Sequence, residues 1–176
     1  MALLAEEVVE EWLNQQGFFT IRGIKIGVQE MDILAIRQNA ESVDLRHYEV
    51  HASVNPISYI SRVPKAVQKA TGRGSTSAKK RSIEELRVGV DEWVEKKFRM
   101  EKKAVLREKL WPGNWSYHFV INKVRHVEEL DIFRGTEVEI IRLSAILEEL
   151  KASSGYTAAG KDLIDLMILD EAAQAD

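Results

Sequence analysis

Two acidic residues stand in runs of the sequence that are otherwise apolar. Asp32 lies between Met31 and Ile33, in a strand-like run from Met31 to Ile36, and Glu49 lies in Tyr48-Glu49-Val50-His51, at the end of a second run from Leu45 to Val50. A buried carboxylate is costly unless it is paired, hydrogen-bonded or bound to metal. Strand alternation puts His47, Glu49 and His51 on one face and Tyr48 and Val50 on the other, and gives Glu30 the same parity as Asp32. If the two runs pair, Asp32 and Glu49 lie side by side. Carboxylates held together repel, and a hard divalent cation relieves that repulsion. The main-chain carbonyl of Val50 adds an oxygen ligand, and Glu30 an outer partner. Such a cation would polarise a phosphodiester, lower the pKa of a bound water and neutralise charge in the transition state. The plain alternative is a pair of ordinary strand-edge polar residues.

The elements that must position these groups can be read from periodicity. Leu4, Val8 and Trp12, with Leu3 and Val9, define one face of a helix over residues 3–16, which Gly17 can stop. Phe18 to Ile26 reads as a strand, and the short polar link Gln38–Ser42 makes the next two strands an antiparallel hairpin. Asn55-Pro56 breaks the pattern; a helix is expected within Ile57–Ala70, limited by Pro64. Residues 71–77 form a loop rich in Gly, Ser and Thr. Ser82 and Glu85 have capping-box spacing and open a helical region reaching Leu110, as one helix or two, with Leu86, Val90, Trp93, Val94, Phe98, Ala104 and Val105 as its apolar side. Ser116–Asn122 and Glu137–Arg142 read as strands suited to a parallel arrangement, Ser144–Leu150 as a helix, and Asp162–Ala173 as a final amphipathic helix. This order predicts an α/β domain with a mixed sheet flanked by helices.

The chain of 176 residues suits one domain, with a core over about 1–145 and a helical extension over about 144–174. It contains no cysteine, which removes disulfides, thiolate zinc sites and cysteine nucleophiles. No apolar run approaches the length that spans a bilayer. The start turns acidic at once and lacks the basic region of a signal peptide, so a cytoplasmic location and no membrane partner are expected. The net charge of −3 hides a one-signed stretch. Between Glu49 and Glu84 there is no Asp or Glu, whereas Arg62, Lys65, Lys69, Arg73, Lys79, Lys80 and Arg81 all fall there. Arg62, Lys65, Lys69 and Arg73 recur at helical spacing and can share a face, a pattern suited to phosphate contacts. The bland reading is a solvated helix face. The segment Arg73–Ser77 lacks the Gly-Lys-Ser/Thr element of a P-loop and does not follow a strand, which excludes a nucleotide-phosphate reading. His118 and His126 have no partner that specifies zinc, and Trp12, Trp93 and the aromatics of 115–119 read as packing residues. The late acids Asp162, Asp165 and Asp170 read as helix-solubilising charges.

Glu6-Glu7 through Trp12-Leu13 into Gly17-Phe18, then Glu30-Met31-Asp32-Ile33-Leu34-Ala35, then Tyr48-Glu49-Val50-His51, together resemble the PD-(D/E)XK, or restriction-endonuclease-like, nucleases. Within them the similarity is to the archaeal Holliday-junction resolvase and Mrr-like branches. The similar parts span roughly residues 1–70, the later strands agreeing in order alone. The resemblance implies a three-layer domain and a Mg2+ site, with Mn2+ as a substitute, held by Glu7 (or Glu6), Asp32, Glu49 and the Val50 carbonyl. It implies hydrolysis of DNA phosphodiesters, and it leaves room for a homodimer, because two-strand cutting commonly uses paired sites. His51 departs from the pattern by standing where the family has a lysine. Histidine is mostly neutral near pH 7, so Lys65 or Lys69 from the next helix is expected to migrate into that role, and Gln68 is a further catalytic candidate by resemblance. Two rival readings stay open: an inactive nuclease-like DNA-binding protein, favoured by His51, and a structural subunit for protein interactions.

Overall fold

A computed structural model describes residues 2–53 and 56–153; the final helix expected at Asp162–Ala173 lies outside the described residues. Helix α1 (Ala2–Gln15) leads into β1 (Phe19–Ile26), β2 (Gln29–Gln38) and β3 (Val43–His51). A crossover follows with α2 (Lys65–Thr71), α3 (Ile83–Val94), a π-helical turn (Glu95–Arg99) and α4 (Glu101–Leu110). The chain then re-enters the sheet as β4 (Trp115–Ile121), passes through α5 (Glu128–Arg134), and ends its described part in β5 (Val138–Arg142) and α6 (Leu143–Ala152).

The five strands lie in sequence order. β1, β2 and β3 pair antiparallel, joined by links of two and four residues, whereas β3–β4 and β4–β5 are parallel. Tight turns permit the first arrangement, and parallel strands require long crossovers. The mixed α/β sheet flanked by helices is therefore observed. Alternation divides the core. Ile33, Ala35, Tyr48, Val50 and Val120 pack with Val8, Val9, Trp12 and Leu13 of α1 and with Ile146 and Leu150 of α6. On the opposite face Phe119, Ile121 and Val138 pack with Val90, Val94, Phe98 and Phe133. Among the described residues no helix is long and apolar enough to cross a membrane.

The crossover decides two points that the sequence left open. Residues 57–63 are not helical, and α2 begins directly after Pro64, because a proline lacks the N–H that a helix interior needs and suits its start. The extended segment is held by Glu129, fully buried on α5, which accepts the N–H groups of Ile60 (2.6 Å) and Ser61 (2.8 Å) and the Ser61 hydroxyl. The long helical region is interrupted too. The Ser82–Glu85 capping box opens α3 as expected, but after the π turn Met100 adopts φ −46°, ψ 128° and breaks the helix before α4. Ala104 and Val105 are exposed, and α4 turns Lys103 and Arg107 inward instead.

Gly89 of α3 lies against the extended segment. A Cβ at this position would stand 2.8 Å from Ser61 Oγ and 3.1 Å from the Arg62 carbonyl. Gly89→Ala gains about 0.5–1 kcal/mol of helix propensity and is opposed by overpacking of about 1–3 kcal/mol. Urea denaturation should therefore show net destabilisation of about 1 kcal/mol; a stabilised variant would refute the close approach.

Candidate active site

The recorded pairing of β2 with β3 runs from Gln38↔Val43 to Ile33↔Tyr48 and stops there. Continuing the register by one residue would set Asp32 against Glu49. At that point the Asp32 side chain takes over from the backbone: its Oδ2 accepts the Val50 N–H at 2.8 Å. The backbone pairing ends here, and Asp32 lies within electrostatic reach of Glu49. Glu49 acts on Asp32 strongly enough to raise its pKa, second only to burial.

Glu49 is 1% exposed. Lys103 Nζ donates to its Oε1 at 2.8 Å, and Lys97 Nζ donates to its Oε2. His47 Nε2 stands 3.3 Å from Oε1 without hydrogen-bonding alignment. Arg107 extends this polar row: its Nη1 lies 3.1 Å from His47 Nδ1, and its Nη2 donates to the Phe98 carbonyl (2.9 Å) and the Tyr117 hydroxyl (3.2 Å). A guanidinium only donates, so Nδ1 must accept, which places the proton of a neutral His47 on Nε2, towards Glu49. Burial pushes His47 down to about 4, consistent with the neutral ring.

Two irregularities of the crossover deliver these cations. The π turn carries Lys97 and Phe98, the latter fully buried against His47 with ring centroids 4.9 Å apart. Lys103 and Arg107, four residues apart on α4, share one helix face. Lys103 also donates to the Lys97 carbonyl at 2.8 Å, so one buried ammonium serves both Glu49 and the backbone of the π turn. π turns of this kind recur at functional sites.

The electrostatics divide the two acids. Burial alone would raise Glu49, but His47 and the charges of Lys97 and Lys103 outweigh it and hold the carboxyl at about 2. Asp32 is pushed up to about 7, first by burial and then by Glu49, against the opposing effects of Lys97 and the Val50 N–H. Glu6 of α1 is also raised, by burial and by the charges of Glu30 and Glu49. Lys97 is raised because Glu49 and Asp32 overcome its own desolvation. His51, at the exposed end of β3, is lowered by desolvation and by Lys97.

The placement of the remaining expected residues differs in several respects. Glu6 is the first-helix acid in electrostatic reach of Asp32 and Glu49, whereas Glu7 turns to Arg22 at 3.4 Å. Gln68 donates to the Val63 carbonyl at 2.6 Å and makes no contact with either strand acid. The lysines beside Glu49 are Lys97 and Lys103, and not Lys65 or Lys69 of α2, which make no bond to it. Arg62, Lys65, Lys69, Lys79 and Lys80 are exposed. Arg73 is tied to Glu85 at 2.8 Å, and Arg81 is buried, donating to the Ser61 carbonyl at 3.0 Å with its guanidinium 4.0 Å above the Tyr59 ring. None of these seven is among the main charges acting on Asp32 or Glu49. Lys97, Lys103 and Arg107 were missed by periodicity, although the low apolar content of α4 was a signal that its inward side had to be polar.

Among the described residues no group of three or more His, Asp or Glu side chains is close enough to hold a metal ion. Comparisons with known proteins leave this site to stand on its own geometry. No family model matches the chain, and no curated protein matches it. It is similar to a crystal structure of a protein of unknown function, AF1548, at 12% identity and a TM-score of 0.44, covering 84% of this chain and 67% of that one.

Two predictions follow from the charges. A carboxyl whose folded pKa lies above its unfolded value stabilises fully below the unfolded value and loses that contribution as pH rises through the folded one. With Asp32 moved from 3.8 to about 7, Asp32→Asn in EDTA should match the wild type near pH 4 and exceed its stability by roughly 2–4 kcal/mol at about pH 8.5. An equal difference at both pH values would refute the raised carboxyl. Second, Lys103→Met leaves a buried charge less compensated and should cost about 3–5 kcal/mol, whereas Lys97→Met, at the partly exposed end of the cluster, should cost about 1 kcal/mol or less. Equal losses in chemical denaturation would contradict that ranking.

Proposed function

We propose that this chain is a divalent-metal-dependent nuclease of PD-(D/E)XK type that hydrolyses DNA phosphodiesters where the pairing of β2 with β3 ends. The observation that carries the proposal is Asp32 within electrostatic reach of Glu49 on the adjacent strand, with the Lys97 ammonium on the outer oxygen of Glu49. The order of helix, antiparallel three-strand unit, crossover and parallel strand supports a restriction-endonuclease-like arrangement. On this reading Lys97 supplies the positive charge that His51, lowered and mostly neutral, does not.

The fit to a divalent cation rests on Asp32. The described residues give its Oδ1 no hydrogen bond, and its carboxyl is held up by burial and by Glu49, an unfavourable state that a cation would relieve. Glu49 fits through Oε2, whose partner Lys97 keeps 34% side-chain exposure and can turn outward; Oε1 stays with buried Lys103. A cation held by Asp32 and Glu49, with Glu6 behind them, would supply a polarised phosphate oxygen and an acidified water. Lys97, released from Glu49, would meet the scissile phosphate. Asp32, titrating near neutrality, would hold or release a proton at its free oxygen. His51 would border the same opening.

A second reading, a nucleic-acid-binding protein that has lost catalysis, is favoured by one observation: both oxygens of Glu49 are engaged by lysines. Linear, branched and single-stranded DNA incubated with Mg2+ or Mn2+ distinguishes the two. The nuclease reading expects cleavage that is abolished by Asp32→Ala and lowered about 100-fold or more by Lys97→Met, the scale of losing one electrostatic stabiliser. Metal-independent binding without cleavage would select the second reading. Cleavage surviving the combined Asp32→Ala and Glu49→Gln substitutions would remove the assigned site.

A further inference from the structure

A basic cleft is formed by β1 and α4, without any residue of the basic segment 62–81 in its lining. It measures about 480 Å³ and runs between the end of β1 and the outer face of α4. Lys25, Lys102 and Lys109 supply three ammonium groups, all exposed and without an ion pair among the described residues. Ile26, Val105 and Leu106 form the apolar part of the wall, and Glu101 is its one acid. Val105 is 49% exposed.

We infer that this cleft, and not the α2 segment, is the track for a nucleic-acid backbone; the inference rests on the nucleic-acid reading above. Lys102, Val105 or Leu106, and Lys109 follow helical spacing and share one face of α4. Lys102 and Lys109 are separated by about 10 Å along the helix axis at 1.5 Å per residue, close to three steps of a strand rising about 3.4 Å per nucleotide. Ammonium groups at that interval suit phosphates about three nucleotides apart, and the apolar wall between them suits the sugar faces. The cleft is linked to the acids through the sheet and through α4: Lys25 pairs in register with Glu30, whose charge acts on both Glu6 and Lys97, and Lys102 is next in sequence to Lys103, which bonds Glu49. The segment 62–81 lacks such a link: none of its seven cations is among the main charges acting on Asp32 or Glu49, and two of them are committed to internal contacts.

The test is binding of a labelled oligonucleotide of about 16 nucleotides, single-stranded and as duplex, to the full chain in EDTA across a salt series. Lys25→Ala/Lys102→Ala/Lys109→Ala should lower affinity tenfold or more. It should also reduce the slope of log K against log salt by about 2–3, the loss of three phosphate contacts. Lys65→Ala/Lys69→Ala should stay within twofold of the wild type. An unchanged slope in the triple variant, or a larger loss in the α2 variant, would overturn the cleft. Competition by polyglutamate as effective as that by the oligonucleotide would overturn it as well, in favour of an acidic protein partner. Because EDTA prevents metal-dependent cleavage, a failed nuclease assay leaves this result standing, and a lost cleft leaves cleavage to be judged separately.

Discussion

A carboxylate that is almost entirely removed from water must be neutralised by its surroundings, and Glu49 imposes that requirement on the whole crossover. Lys103 and Lys97 answer it directly, while His47 and Arg107 complete the polar row behind them. The helical geometry bends to the same demand. A regular helix through residues 83–110 would keep one continuous register. The π turn and the break at Met100 let α3 present Val90 and Val94 to the aromatic core while α4 presents Lys103 and Arg107 to β3.

The sheet supplies the complementary half. Pairing of β2 with β3 holds up to Ile33 and Tyr48 and then gives way, so that a side-chain carboxylate occupies a place where a main-chain acceptor would continue the ladder. This opens the sheet at one end without leaving the Val50 N–H unpaired. The change from antiparallel to parallel pairing at β3 matters equally, because a parallel neighbour demands a long connection. That connection is the chain segment from which the cations come. Glu49 and its counter-charges are thus separated by about fifty residues in sequence and by one hydrogen bond in space.

The cations in this cluster differ in what they can do. Lys103 is enclosed and bonded on two sides, which suits a permanent counter-charge. Lys97 reaches Glu49 from a partly exposed position and can exchange partners at modest cost. Asp32 has no cation bonded to it and carries the strain of the pair as a raised pKa. The combination of a locked acid, a poised acid and a movable ammonium is an arrangement suited to chemistry on an anion. Glu129 shows the contrasting case: a buried carboxylate saturated by two N–H groups and a hydroxyl, serving to hold a segment in place.

Local signals were enough for much of this molecule. The hairpins, the capped start of α3, the Pro64 boundary and the parallel later strands follow from short-range periodicity and turn chemistry. The neighbourhood of Asp32 and Glu49 follows from two apolar runs joined by a four-residue link. Those readings succeed because strand alternation and proline geometry act over a few residues. The partners of Glu49 could not be obtained in that way. Lys97, Lys103 and Arg107 look like solvated charges in the sequence, and Ala104 and Val105 look like the buried side of the same helix. Which face turns inward is decided by the π turn and by the unmet charge on a strand about fifty residues away. The basic segment 62–81 was legible as a composition, yet that its cations are not the ones acting on the acids was not, since tertiary packing decides which charges meet. Composition records how many charges a chain has; only the closed fold decides which of them must neutralise one another.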